Sequence, residues 1–159
     1  MQRLYGAEGR LFMRENLNRN GGADVARAGG LVFDMAAEMG HQDLLRAYAS
    51  RTKFARLWSV LLDQWPVIIC PNSGALPFLV GLDFEGPTQT ERMMRALAWQ
   101  IVPPLIGVPG LSVPLELIVG LPCGVQILSQ RFREDLCLAA GSMLETGFDF
   151  AATAARMLA

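Results

Sequence analysis

The sequence predicts an α/β fold with a sheet too small to stand alone, and three observations lead there. Apolar residues recur at helical spacing through much of the chain, most clearly from Gln42 to Gln64. Only three short runs have the composition of strands: Val67 to Cys70, Leu111 to Ile118 and Gly124 to Ser129. About three strands among five or six helices falls below the usual sheet of about five to six strands. Such a sheet would leave two unpaired edges and an apolar face uncovered. The 159 residues therefore read as a single partial domain, 1–159, of α/β composition.

Taken in order, residues 2–17 and about 23–39 read as helices, separated by the breaker cluster Asn18-Arg19-Asn20-Gly21-Gly22. Gly29-Gly30 weakens the second. From Gln42 to Gln64, Leu44, Tyr48, Ala55, Trp58 and Leu62 fall on one stripe, with Arg46, Lys53 and Arg56 roughly opposite. Arg51 projects into that stripe, so it should snorkel or meet a carboxylate in the core. Trp65-Pro66 stops the helix, and Val67 to Cys70 is a short strand closed by Pro71. Asn72 to Pro87 reads as a long loop. Thr88-Gln89-Thr90-Glu91 has the form of a capping box, with Thr88 at the N-cap, opening a helix to about Gln100.

The run from Ala96 to Leu115 is uncharged and long enough for a membrane span. Pro103, Pro104, Pro109 and Pro114 exclude one, since each costs about 3 kcal/mol inside a helix. The better reading is an irregular proline-rich loop followed by two strands joined through Gly120-Leu121-Pro122. Strands this apolar should be buried on both faces, at the centre of a sheet covered by helices. The last long helix starts at Ser129 or Gln130, buries Phe132, Leu136, Ala140 and Met143, and ends at Gly147. Asp149 would cap a short terminal helix through Leu158.

A net charge of -1 and singly scattered arginines give no track for a phosphate backbone, which argues against nucleic acid as a partner. The chain is 52% hydrophobic and 18% charged, with mean hydropathy +0.28, a surplus that suggests a surface meant to be covered. Cys70, Cys123 and Cys137 are odd in number, lack metal-ligand spacing and sit in apolar runs, so they read as buried free thiols, with no metal or cofactor implied. The N-terminus lacks the apolar stretch of a signal peptide, which makes the cytoplasm the default location.

No complete reactive constellation is present. The one histidine, His41, sits at a helix boundary and reads as a solvated turn residue; the one lysine, Lys53, lies on a polar helix face. None of the six serines lies in a nucleophile-elbow pattern, and neither glycine pair follows a strand. No catalytic residue is therefore assigned.

The stretch "GVPGLSVPLELIVGLPCGVQILSQRFREDLCLAAGSMLE", Gly107 to Glu145, resembles the C-terminal part of amidase signature enzymes, which cleave carboxamides. Its G-x-P, s-v-P and G-l-P-x-G-x-Q elements fall on Gly107, Pro109, Pro114, Gly120, Pro122, Gly124 and Gln126. Upstream, "RTKFARLWSVLLDQWPVIICP" is similar to the family's arginine-bearing helix and the strand that delivers a proline. Arg51 and Trp58 lie on that helix and, with the motif positions, are read as structural. Residues 42–145 match best. The resemblance implies a large α/β/α sandwich and a serine, cis-serine, lysine mechanism whose residues stand in a serine-rich segment that this sequence does not contain. No two serines adjoin here, and Lys53 lies outside any matching motif.

Two positions depart from the family pattern. Pro104 stands where many members have Asn, which implies a more apolar pocket wall, and Glu116 stands where a glycine usually follows the strand's proline. By resemblance this region shapes the acyl pocket. Pro71, Asn72, Ser73 and Gly74, and the stretch Ile101 to Ile106 with Pro104 and Leu105, are candidate substrate walls; as a bland alternative they are a strand end and a loop. Three readings stay open. The chain is the C-terminal part of an amidase, inactive alone and acting on a carboxamide only with its missing part, which a split-enzyme partner could carry. It is a self-associating binding or scaffolding module derived from one. Or it is a self-sufficient enzyme with an unrecognised nucleophile such as Cys70.

Overall fold

The computed structural model describes residues 2–35, 38–147, 149, 152 and 155, which form two compact units. One comprises Met1–Lys53 with Phe78–Ala96; the other comprises Phe54–Pro77 with Leu97–Ala159.

The first unit is helical. α1 (Gln2–Glu8) runs through a π-helical turn, Gly9–Met13, into α2 (Arg14–Asn20), and α3 (Gly22–Met35) follows. The expected break at Asn18 falls later, at Gly21-Gly22, where Gly22 has φ +72°. Once a helix is nucleated, a polar residue such as Asn costs only tenths of a kcal/mol, whereas a left-handed glycine ends it. Phe33 is the buried centre of this unit: the bare Cα of Gly9 lies against its ring, and Arg10 Nε donates to its carbonyl at 2.7 Å. Gly29 sits mid-helix because the Leu17 side chain occupies the space a methyl would need. Residues 38–40 are not helical, so α3 does not reach 39.

α4 (His41–Gln64) matches its expected span and lends its halves to the two units. The predicted stripe is covered only toward its end, where Leu62 is buried and Ala55 and Trp58 pack on a core cluster. Tyr48 is exposed and donates to Glu8 Oε1 at 3.0 Å. Arg51 is exposed rather than placed in the core. After a 3-10 turn at Leu82–Phe84 comes α5 (Pro87–Ala96). The expected capping role of Thr88 is displaced: Pro87, whose φ is preset for a first helical turn, starts the helix one residue earlier. Thr88 is then inside the helix and exposed, Glu91 pairs with Arg95, and the fully buried Thr90 donates to Gly86 O at 2.9 Å.

The second unit holds the sheet. Its strands are β1 (Val67–Pro71), β2 (Gly110–Ile118) and β3 (Leu121–Ser129), in the order β1-β3-β2 with both pairings antiparallel. Of the two strands expected to be buried on both faces, only β3 is, with Ile127 and Leu128 both 0% exposed. The outer strands have one neighbour each among the described residues, and Ile69 of β1 is 52% exposed. The register puts Cys70 opposite Gln126 and Ser112 opposite the same glutamine on the other side. On that face Cys70 and Leu128 pack with Val102, Ile106 and Trp58. On the opposite face Ile127 and Val113 pack against Cys137 of α7 (Glu134–Gly147). Helices thus cover both sides of the sheet.

Three expectations change here. The proline-rich segment is ordered: a 3-10 turn at Leu97–Ile101 leads into α6 (Val102–Ile106), with its prolines in the first turn, where the missing N–H groups would have no partner anyway. The hairpin turn is Val119-Gly120, both at positive φ, so β3 begins at Leu121 and a bulge falls between Pro114 and Glu116. α7 starts at Glu134 rather than near Ser129, which ends β3 and donates to Pro66 O at 2.8 Å. Its buried face shifts accordingly to Cys137 and Gly141, leaving Phe132 88% and Met143 76% exposed. Asp149 Oδ1 does accept from the Ala152 N–H at 2.9 Å; most of the short helix expected after it lies outside the described residues. Among the described residues, no helix is long and apolar enough to cross a membrane.

Candidate functional site

The face of the sheet shared with α6 carries a group of polar side chains. Gln126, buried at the middle of β3, donates from Nε2 to Trp99 O at 3.3 Å and to Cys70 Sγ at 3.6 Å. One amide thereby ties the central strand to the 3-10 turn and to β1. Next to it, Asn72 Nδ2 donates to Ser112 Oγ at 2.7 Å, joining the segment after β1 to β2. Ser73 Oγ accepts from the Ala75 N–H at 3.2 Å, a local turn that fixes the chain as it leaves Pro71.

The candidate walls are placed as follows. Pro71 is the last residue of β1 and faces Val125 in the register; Asn72 and Ser73 are half-buried and Gly74 is exposed. Ile101 and Leu105 are half-buried and Pro104 is exposed. Ile106, 1% exposed, points inward onto Cys70, Val102 and Leu128. Cys70 lies immediately before Pro71, so the two walls are supported by one hydrophobic cluster.

The motif glycines and prolines have physical explanations. Gly107 ends α6 at φ +71°, its N–H donating to Pro103 O at 2.8 Å, in the left-handed geometry that favours glycine. A methyl there would also meet Arg131 Nη2 at 3.2 Å. That guanidinium donates to Ile106 O, with Nε at 3.2 Å, and so completes the end of the helix. Gly124 lies so close to β2 that a methyl would come within 2.3 Å of Val113 O. Pro114 is its partner across the hairpin, Pro122 faces Leu117, and Gly120 completes the turn at φ +77°. Pro109 O faces the Cys137 thiol at 4.0 Å. Glu116 is exposed, so its charge is solvated.

Among the described residues, the polar side chains of this face pair with amide, backbone and thiol groups. The neighbour of the Ser112 hydroxyl is an amide, which cannot take its proton. Cys70 is buried, and burial, followed by the charges of Glu134 and Asp135, pushes the Cys137 thiol up, away from the thiolate form. His41 and Lys53 are exposed on α4. Ser112 and the Trp99 carbonyl are the site groups that sequence reasoning missed. Period-two alternation would have placed Ser112 beside Gln126 had the register been known.

Comparison with known proteins gives this geometry a context. A family model described as Amidase matches residues 13–138. The chain is 29% identical over 141 residues to a glutamyl-tRNA(Gln) amidotransferase subunit of Desulforudis audaxviator, covering 87% of this chain and 27% of that protein. It is 29% identical over 122 residues to an indoleacetamide hydrolase of Bradyrhizobium japonicum, covering 72% and 23%. It therefore spans about a quarter of the length of these curated relatives. Among solved structures, the 6-aminohexanoate cyclic dimer hydrolase superposes with a TM-score of 0.64 at 20% identity, over 92% of this chain and 34% of that one. Sheet, covering helices and the G-l-P-x-G-x-Q hairpin agree with the match over residues 13–138: the chain belongs to the amidase family.

Proposed function

We propose that this chain is the C-terminal part of one amidase domain, 1–159, that it contributes pocket walls to an amide-bond hydrolase, and that the groups performing acyl transfer are supplied from outside it. What supports this reading is the family match over residues 13–138 together with a sheet whose polar side chains bond to amide, hydroxyl and carbonyl groups. In the family, by resemblance, a serine attacks the amide carbonyl, a second serine relays the proton and a lysine acts as base. The sequence has no adjoining serines, and its one lysine is exposed on α4. Pro71, Asn72, Ser73, Gly74, Ile101, Pro104 and Leu105 would form part of the acyl pocket, with Ile106 supporting them from behind.

The test is hydrolysis of a panel of small aryl amides by the purified chain, alone and mixed with a separately produced, serine-bearing amidase segment. No turnover alone and turnover on mixing is the expected result. Turnover by the chain alone, abolished by a serine- or thiol-directed reagent, would overturn the reading and require a nucleophile within these residues. A soluble, inactive chain that forms a defined homo-oligomer and ignores the added segment would favour a scaffolding module instead.

A further inference from the structure

The amide-hydrolase reading leaves the substrate open beyond its scissile bond, and the strand-end pair Asn72 and Ser112 narrows it. We propose that these two side chains form a subsite for an uncharged carboxamide on the acyl portion of the substrate, apart from the bond that is cleaved; this rests on the amide-hydrolase reading.

Asn72 Nδ2 donates to Ser112 Oγ at 2.7 Å, which uses one donor and one acceptor of the pair. The Asn72 carbonyl oxygen, the second Asn72 amide N–H and the Ser112 O–H remain, so an acceptor stands beside two donors. Ser112 is exposed and Asn72 half-buried, so both groups reach the surface of the unit. A carboxamide presents an N–H and a C=O in the same arrangement and satisfies both at once. A carboxylate can accept from the two donors but has none for the asparagine carbonyl, an ether likewise only accepts, and an alcohol must serve both kinds of partner through a single oxygen.

Charge points the same way. Residues 64–77, 97–115 and 117–130, which carry the three strands, the 3-10 turn and α6, contain no Asp, Glu, Lys, Arg or His, with Asp63, Glu116 and Arg131 the charges that flank them. These segments offer an anion no cation, while a neutral amide exchanges water for equivalent hydrogen bonds.

Ser112 is held on a strand, and Asn72 is the first residue past one. Ser112 lies within β2 directly opposite Gln126, whose amide is itself fixed by Trp99 O and Cys70 Sγ, and Asn72 follows directly on β1. Groups anchored on strands lose little freedom when a ligand arrives.

The experiment is a heteronuclear NMR titration of the purified chain with butyramide, and in parallel with butyrate and butanol. Butyramide should move the Asn72 side-chain amide signals saturably, with butyrate and butanol binding at least about tenfold more weakly. Asn72→Ala and Ser112→Ala should each weaken butyramide about tenfold. If Asn72→Ala does not fold, Ser112→Ala gives the same reading from an exposed hydroxyl. Absence of any shift at these signals, equal binding of butyrate, or unchanged affinity in the variants would overturn the proposal. Binding is read without turnover, so the two ideas separate. Turnover restored by mixing but no Asn72-dependent binding removes the subsite and keeps the hydrolase; Asn72-dependent binding with no restored turnover does the reverse.

Discussion

Gly107 concentrates two demands on one residue, a left-handed backbone and proximity to the Arg131 guanidinium. Replacing it with alanine should destabilise the chain by about 1–2 kcal/mol, the usual cost of that backbone region for a residue with a Cβ, read from the midpoint of urea unfolding. An unchanged midpoint would mean that α6 ends differently in solution. Asp135 offers a pH-dependent counterpart. The hydrogen bond from Arg133 holds its carboxyl below the ordinary value of 3.8, helped by the Arg133 charge and the Leu136 N–H. Since the folded value is the lower one, its contribution is present above about pH 4 and is lost as pH falls through the folded value. Asp135→Asn should therefore reduce stability slightly at neutral pH and flatten the acid side of the stability profile; parallel profiles for the two proteins would exclude it. Residues of this kind were partly legible in advance. The motif named Gly107 and Gln126, but their partners, Arg131 and Trp99 O, lie far along the chain, and no local pattern encodes them.

At the scale of elements, the hairpin turn is the clearest local conflict. Val119 adopts φ 54°, a region that β-branched residues avoid, in a two-residue turn that favours Asn-Gly. Val119→Asn should raise stability by about 0.5–1 kcal/mol, because asparagine tolerates that geometry and the following glycine is already in place. Differential scanning calorimetry would show it as a higher transition temperature, and a lower one would argue that Val119 is held by contacts the turn needs. The positions of α4 and all three strands followed from apolar periodicity and composition, signals that act within a few residues. The start of α7 and the helical state of Val102–Ile106 did not. The first depends on β3 continuing through Ser129 to bond Pro66 O, and the second on prolines falling in a first turn, where they are harmless, instead of in a helix interior.

At the scale of the whole molecule, the apolar surplus in the composition reappears as exposed side chains within each unit: Leu57, Val60, Trp65 and Ile69 in one, Phe12, Leu79 and Val80 in the other. Surface of this kind promotes association. Sedimentation velocity should show concentration-dependent self-association, reduced by the double change Leu57→Glu and Val60→Lys; a chain that stays monomeric at every concentration would refute this. That the sheet is small was legible from counting strands, whereas the division into two units was not, since it follows from contacts and not from any linker in the sequence. The antiparallel register has a consequence in time. β2 and β3 are neighbours in the chain and can zip from their turn in microseconds, but β1 reaches β3 only after the whole of residues 72–109 has been looped out. Pulse-labelled hydrogen exchange during refolding should find the amides of β2 and β3 protected first and those of Val67 to Cys70 last. During that interval β3 is itself an open edge, so the slow step of folding is also the moment at which the chain is most prone to pair with another strand.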